Sequence, residues 1–210
     1  TSAADGVRGL FAIDLDEDGD MDVLSASLLD DTITWYENDG GQNYTARTID
    51  TAANGALSVF AADVDGDGDL DVLSAWADGN TIAWHQNDGN QNFTTNTVST
   101  TASNAKSVIA ADIDGDGDLD VLSASADDDK VAWYENDGSA GFTERTITTA
   151  ADGAYSVFAA DVDGDGDLDV LSASSNDGRI AWYENDGSQN FTTRTITTSA
   201  SLARSVYAID

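Results

Sequence analysis

Asp63-Val-Asp-Gly-Asp-Gly-Asp-Leu-Asp71 carries a carboxylate on every second residue and a glycine at its sixth place. The run returns at Asp112–Asp120 and Asp161–Asp169, and in a slightly altered form at Asp14–Asp22. Its first aspartates fall at 14, 63, 112 and 161, a constant step of 49 residues, and a lone one follows at Asp210. Oxygen ligands at places 1, 3 and 5 of a loop converge on one point only if the backbone turns sharply, and glycine permits that turn. The spacing predicts a cage for a hard dication, one in each repeat.

The candidate ligands are Asp14, Asp16, Asp18, Asp20 and Asp22 in the first loop, and Asp63, Asp65, Asp67, Asp69 and Asp71 in the second. The third loop offers Asp112, Asp114, Asp116, Asp118 and Asp120, and the fourth Asp161, Asp163, Asp165, Asp167 and Asp169. In the second loop the expected ligands are the side chains of Asp63, Asp65, Asp67 and Asp71, with the main-chain carbonyl of Asp69 between them. An EF-hand would need a bidentate glutamate at place 12, where Ser25, Ser74, Ser123 and Ser172 stand, and helices on both flanks. Magnesium prefers to keep several waters, so calcium is the expected ion, four in all. A merely solvated acidic loop gives no reason for five carboxylates in the same places four times.

The 210 residues carry 40 acidic and 8 basic side chains, a formal charge of −32. Four dications would bring that only to about −24. Without a basic patch neither nucleic acid nor an anionic membrane is a natural partner. There is no cysteine, hence no disulfide framework and no thiolate metal site. No apolar run approaches the ~18 residues of a membrane-inserted span. The chain opens Thr-Ser-Ala-Ala, with neither an initiator methionine nor a signal-peptide pattern, so any export signal is expected to lie outside it.

Repetition decides the fold. Beyond the four copies, Ser2–Asp14 lines up with Thr198–Asp210, giving a partial fifth repeat at 198–210. Residues 1–210 are read as a single repeat array, an excerpt of a longer propeller or assembly. Within the fourth copy, Ser156–Ala160 enters the loop and Leu168–Ser174 leaves it; Arg179–Glu184 and Phe191–Thr197 follow, separated by Asn-Asp-Gly turns. Helical periodicity is absent. The expected class is all-β, with propeller-type blades of four antiparallel strands. Such a blade buries apolar groups on both faces, and Trp35, Trp84, Trp133 and Trp182 are expected between blades. Phe11, Phe60, Ile109, Phe158 and Tyr207 would form a second layer, and Tyr44, Phe93, Phe142 and Phe191 would sit near the outer strand.

Ser156–Ser174 (SVFAADVDGDGDLDVLSAS) followed by Ile180–Gly187 (IAWYENDG) resembles the FG-GAP/VCBS repeats of integrin-alpha-type β-propellers, found in many exported bacterial proteins. The resemblance covers the whole chain. It implies a calcium loop joining two adjacent strands of each blade, with ligands at places 1, 3, 5, 7 (carbonyl) and 9. It also implies a usual ring of seven blades, more than this chain holds. Part of a larger propeller, a ring or open fibre built from several copies, and a compact four-bladed ring are all open arrangements.

The sequence offers little for catalysis. The single histidine, His85, sits where Tyr36, Tyr134 and Tyr183 stand in the other copies, and no Ser-His-Asp set is legible around it. The chain is therefore not expected to be an enzyme. Trp76, where Ser27, Ser125 and Ser174 stand elsewhere, is either an exposed platform for a ligand or the filler of a local gap. Arg47, Arg145 and Arg194 recur, with Asn96 breaking the series, and are expected to pair with carboxylates. The functional expectation is an exported, extracellular or cell-surface module that binds glycan or protein. Its competitors are a self-assembling homo-oligomer or filament subunit and a non-catalytic appendage of a secreted polysaccharide-active enzyme. In all of them calcium orders the blades.

Overall fold

The computed structural model describes residues 4–139 and 141–209. The first blade is built of β1 (Val7–Ile13), β2 (Asp22–Ser27), β3 (Thr32–Asn38) and β4 (Tyr44–Asp50). The second comprises β5 (Ala56–Ala62), β6 (Asp71–Trp76), β7 (Thr81–Asn87) and β8 (Phe93–Ser99). The third holds β9 (Ala105–Ala111), β10 (Asp120–Ser125), β11 (Lys130–Asn136) and β12 (Phe142–Thr148). The fourth holds β13 (Ala154–Ala160), β14 (Asp169–Ser174), β15 (Ile180–Asn185) and β16 (Phe191–Thr197). Each blade is a separate antiparallel sheet whose spatial order follows the chain. Every connection within a blade is therefore a hairpin-type return. No helix occurs among the described residues, and so none long and apolar enough to cross a membrane.

The turns follow from local chemistry. Between the second and third strands the left-handed position is taken by Asp31, Asn80, Asp129 and Gly178, residue types that tolerate positive φ. The Asn-Asp-Gly turns place Gly40, Gly89, Gly138 and Gly187 at φ near +70°. A side chain on any of them would run into the aspartate at place 7 of the metal loop beneath. In β13 the strand begins at Ala154, two residues earlier than apolarity suggests, because an irregularity between Ala154 and Ser156 interrupts the register.

The first strands lie innermost, β1 against β5, β5 against β9 and β9 against β13, and the second strand of each blade packs on the first strand of the next. Small residues such as Ala75 and Ser74 in β6 let that approach be close. Trp35, Trp84 and Trp133 are buried between blades; Trp84 joins Val108, Val121 and Tyr134 of the following blade in one cluster. Phe11 stacks on Phe60 at 4.7 Å, and Phe158 on Tyr207 at 4.6 Å, which forms the expected second layer. Phe142 meets the edge of Trp84 at 6.0 Å.

Residues 203–209 run beside β13, Val206 N–H donating to Ser156 Oγ at 3.3 Å, as Val157 does to Ser107 and Val108 to Ser58. The expected first ligand of a fifth loop, Asp210, and the opening residues of the Ser2–Asp14 match lie outside the described residues.

Candidate metal centre

Each acidic loop joins the first strand of a blade to the second, so two strands leave from one site. In the second loop Asp63 accepts the Asp67 and Gly68 N–H groups, at 3.1 Å each, through its two oxygens. Asp67 accepts the Asp69 N–H at 2.9 Å. Gly68, at φ +100°, turns the chain back; Gly117 and Gly166 do the same at +100° and +102°. In the first loop Glu17 stands where Gly66 does, at φ 59°.

The ninth aspartate closes the loop. Asp71 is fully buried, accepting the Val64 N–H at 3.2 Å on one oxygen and the Asn87 N–H at 2.7 Å on the other. Asp120 does the same with Ile113 and Asn136, and Asp169 with Val162 and Asn185. Each ninth aspartate thus ties its loop to the start of the Asn-Asp-Gly turn after the third strand. The sequence marks that asparagine only as a turn residue. Its amide also donates inward, Asn136 Nδ2 to Leu119 O at 3.1 Å and across the blade boundary to Val64 O at 2.9 Å. Asn185 repeats the crossing to Ile113 O at 3.1 Å.

The side chains at places 1, 3 and 9 come together. Asp63, Asp65 and Asp71 offer oxygens within 4.8 Å of one another, as do Asp112, Asp114 and Asp120, and Asp161, Asp163 and Asp169. In the first loop the group is Asp14, Asp16 and Asp18. Asp22 is buried there and accepts the Leu15 and Asn38 N–H groups. Asp67, Asp116 and Asp165 lie outside these groups, each accepting the N–H two residues on. The side chains of Asp20, Asp69, Asp118 and Asp167 turn to the glycine of the neighbouring turn. They are not drawn into the groups.

The electrostatics of these groups are those of a cage short of positive charge. Burial pushes the Asp71 carboxyl up to about 6 and Asp120 up to about 7, against the pull of their backbone hydrogen bonds. Asp16, Asp114 and Asp163 are also raised, first by burial, with neighbouring aspartates adding to it. Asp16 Oδ1 is buried without a hydrogen-bond partner. Among the described residues no ion pair reaches a loop aspartate. Hard oxygen donors and uncompensated buried charge fit a hard dication.

The recurrent arginines pair as expected: Arg47 with Glu37 at 2.6 Å, Arg145 with Glu135 at 2.7 Å and Arg194 with Glu184 at 2.6 Å. In the second blade both partners change together. Asn96 replaces the arginine, and Gln86 replaces the glutamate and donates to Asp65 at 2.6 Å.

Trp76 is half-buried, its ring 6.4 Å from His85 and its N–H given to Ser74 Oγ at 2.7 Å. Around His85 the fold assembles a set that the sequence did not reveal. Ser74 Oγ lies 2.8 Å from Nε2; Thr95 Oγ1 lies 2.9 Å and Asp50 3.6 Å from Nδ1. Ser74 and His85 are both fully buried, and Ser74 already accepts the indole N–H. In the third and fourth blades a tyrosine hydroxyl takes the imidazole's place, Tyr134 on Ser123 and Tyr183 on Ser172.

Comparison with known proteins agrees with the repeat and the fold. A model of the FG-GAP-like repeat matches at residues 14–74, 63–123, 112–172 and 161–210. Among solved structures, the Vibrio cholerae biofilm matrix protein Bap1 aligns with a TM-score of 0.62 at 20% identity, over 94% of this chain and 30% of that one. A protein from Lactobacillus plantarum aligns at 0.57 and 17%, over 90% of this chain and 54% of that one. A lectin from Agrocybe aegerita, solved for its recognition of non-reducing terminal N-acetylglucosamine, aligns at only 0.42 and 16%, over 92% and 67%. No curated protein sequence matches the chain.

Proposed function

This chain belongs to the FG-GAP-like repeat family, and from that premise we propose that it is an exported, calcium-stabilised binding and adhesion module recognising glycan or protein outside the cell. The observation that carries the metal reading is the cluster at places 1, 3 and 9. Three carboxylates share one small volume in each of three loops, and one of them is buried with nothing positive beside it. Bound there, calcium would cancel that repulsion and add ligand bonds between the first and second strands of each blade. The chain's own residues do the rest. The ninth aspartate anchors the third strand, and Asn136 and Asn185 carry the constraint to the preceding blade.

An extracellular setting follows from ligand chemistry, since such loops suit the millimolar calcium outside cells better than cytosolic levels. The likeness to a biofilm matrix protein supports the same setting. A non-catalytic role is supported by the burial of the Ser74–His85 pair, which leaves its hydroxyl no approach for a substrate. Calorimetric titration of chelator-stripped protein with calcium tests the reading. Four sites per chain are expected, and no heat of binding would remove it.

One observation favours a second reading, a subunit that associates with its own copies. Val162, at the second place of the fourth loop, is 40% exposed, while its counterparts Val64 and Ile113 lie under the next blade at 3% and 2%. At the opposite end Tyr44 is exposed, and the Asn38 amide bonds only Met21 O, where Asn136 and Asn185 also reach the preceding blade. These two faces carry the halves of the interface used between successive blades, so a second copy would fit head to tail. Sedimentation in calcium distinguishes the readings: a concentration-dependent series of oligomers supports association, and a single monomeric species rejects it.

A further inference from the structure

Positions 8, 57, 106, 155 and 204 are one position of the repeat, and they read Arg, Leu, Lys, Tyr, Arg. Each lies at the start of a first strand or its fifth counterpart, the end away from the metal loops. All five line a single cavity of about 290 Å³, which places them around the axis on which the inner strands converge. Gly9 helps to close it. A Cβ there would come within 2.7 Å of the Leu57 carbonyl, so serine, which stands at this position in β5, β9 and β13, could not take its place without moving β1 off β5.

The charge in this cavity runs against the rest of the molecule. Only 8 basic residues face 40 acidic ones, yet three of the eight gather here. Four of the other five are held in carboxylate ion pairs, and Arg179 bonds the Ala150 carbonyl. Arg8, Lys106 and Arg204 make no ion pair among the described residues. Lys106 Nζ and Arg204 Cζ sit over the same Tyr155 ring, at 5.7 and 5.2 Å. Burial lowers the Lys106 ammonium; Asp127 and Asp78 oppose that from a distance and Arg204 adds to it.

The lining also offers neutral donors. Ser58, Ser107 and Ser156 each accept a backbone N–H from the next inner strand, and among the described residues none donates its own hydroxyl proton. Three cations, converging hydroxyls and a lining without a carboxylate make a receptor for a compact oxyanion. A net charge of −32 turns away polyanions, so the ligand must carry its anionic group on an otherwise neutral body. A hydroxyl-rich sugar bearing one carboxylate or sulfate has that character.

We propose that this axial cavity binds the anionic group of an acidic saccharide, held by Arg8, Lys106 and Arg204 and by the serine hydroxyls. The proposal rests on the glycan-recognising form of the function above and names its ligand class. Leucine is a permissible substitute at this position, because Leu57 occupies it in β5. The test is calorimetric titration of calcium-replete protein, at low salt, with a neutral disaccharide, its glucuronate-terminated analogue, its monosulfated analogue and an acidic peptide. The two anionic sugars are expected to bind about tenfold or more tightly than the neutral one. That preference should vanish in Lys106→Leu/Arg204→Leu, whose thermal melt stays that of the wild type, and persist in Lys106→Arg. The two anionic sugars separate carboxylate from sulfate as the natural group. Equal binding of neutral and anionic sugars, or an unchanged preference in the double variant, overturns this site and leaves glycan recognition standing. Binding of the acidic peptide alone overturns the ligand class, and no saccharide binding at all overturns both.

Discussion

Asn136 gives its side-chain N–H to the Val64 carbonyl at 2.9 Å, reaching from the third strand of one blade into the acidic loop of the blade before it. The same amide holds Leu119 O of its own loop, and the backbone N–H of Asn136 binds Asp120. Two loops 49 residues apart therefore share one side chain. Asn136→Ala removes these two amide bonds and the one its Oδ1 accepts from the Gly138 N–H at 3.2 Å, and is expected to cost about 3 kcal/mol in denaturant unfolding with calcium present. Asn87→Ala is the control: its side chain bonds Leu70 O and the Gly89 N–H of its own blade, and its cost should be smaller by about 1 kcal/mol. Equal costs would show that the bridge between blades adds nothing.

Asp16 separates the metal's contribution from that of the loop. Its Oδ1 is buried without a partner, and burial together with Asp18 and Asp22 raises its pKa. Asp16→Asn removes a charge that the stripped protein must keep close to others. In excess chelator the variant is expected to melt at or above the wild-type temperature, and in millimolar calcium several degrees below it. The same sign in both conditions would contradict a ligand role for this carboxylate.

Glu17 holds φ 59° where the other loops have glycine. A non-glycine residue pays about 1–2 kcal/mol for that conformation, and glycine loses part of the gain to unfolded-chain entropy. Glu17→Gly is expected to stabilise by about 0.5–1 kcal/mol, read from the denaturation midpoint at constant m-value. Destabilisation would mean that the glutamate makes a contact which outweighs its backbone strain.

Burial drives the His85 imidazole down to about 4, against a smaller upward pull from Asp50. The groups facing it are Ser74, Thr95, Trp76 and Asp50. The unfolded chain, titrating near 6.5, binds the proton more readily than the folded one. Stability from this residue is therefore complete above about pH 6.5, declines as pH falls and levels off below about pH 4, a change on the order of 3 kcal/mol. His85→Tyr restores the tyrosine–serine bond of Tyr134 and Tyr183 and should remove this component. A stability difference between wild type and variant that stays constant from pH 7 to pH 4 would contradict it.

The residues differ in how far sequence alone reveals them. The loop aspartates were legible because metal ligation imposes a strict alternation, and the blades because a 49-residue period leaves few folds able to bury both faces of each sheet. Asn136 was not, since an Asn-Asp-Gly triplet is already explained by its turn; only the fold brings its amide to the Val64 carbonyl of another repeat. Ser74 and His85 meet diagonally across neighbouring strands, where their register partners are Ala83 and Val72, while Asp50 comes from the blade before. No local spacing records that meeting. Arg8, Lys106 and Arg204 share a register with Leu57 and Tyr155, a series without chemical likeness, and the acidic average hides them.

The central claim is that cations in the acidic loops hold the blades together. At a concentration one hundred times its dissociation constant, a bound ion adds about 2.7 kcal/mol per site. Four sites would match the ~5–15 kcal/mol that stabilises a typical domain. Thermal unfolding of one preparation, in 10 mM calcium and again in excess chelator, tests this most directly. The blades are expected to melt tens of degrees lower, or to be unfolded at 25 °C, once the metal is withdrawn. Superimposable melts in the two buffers would contradict the claim.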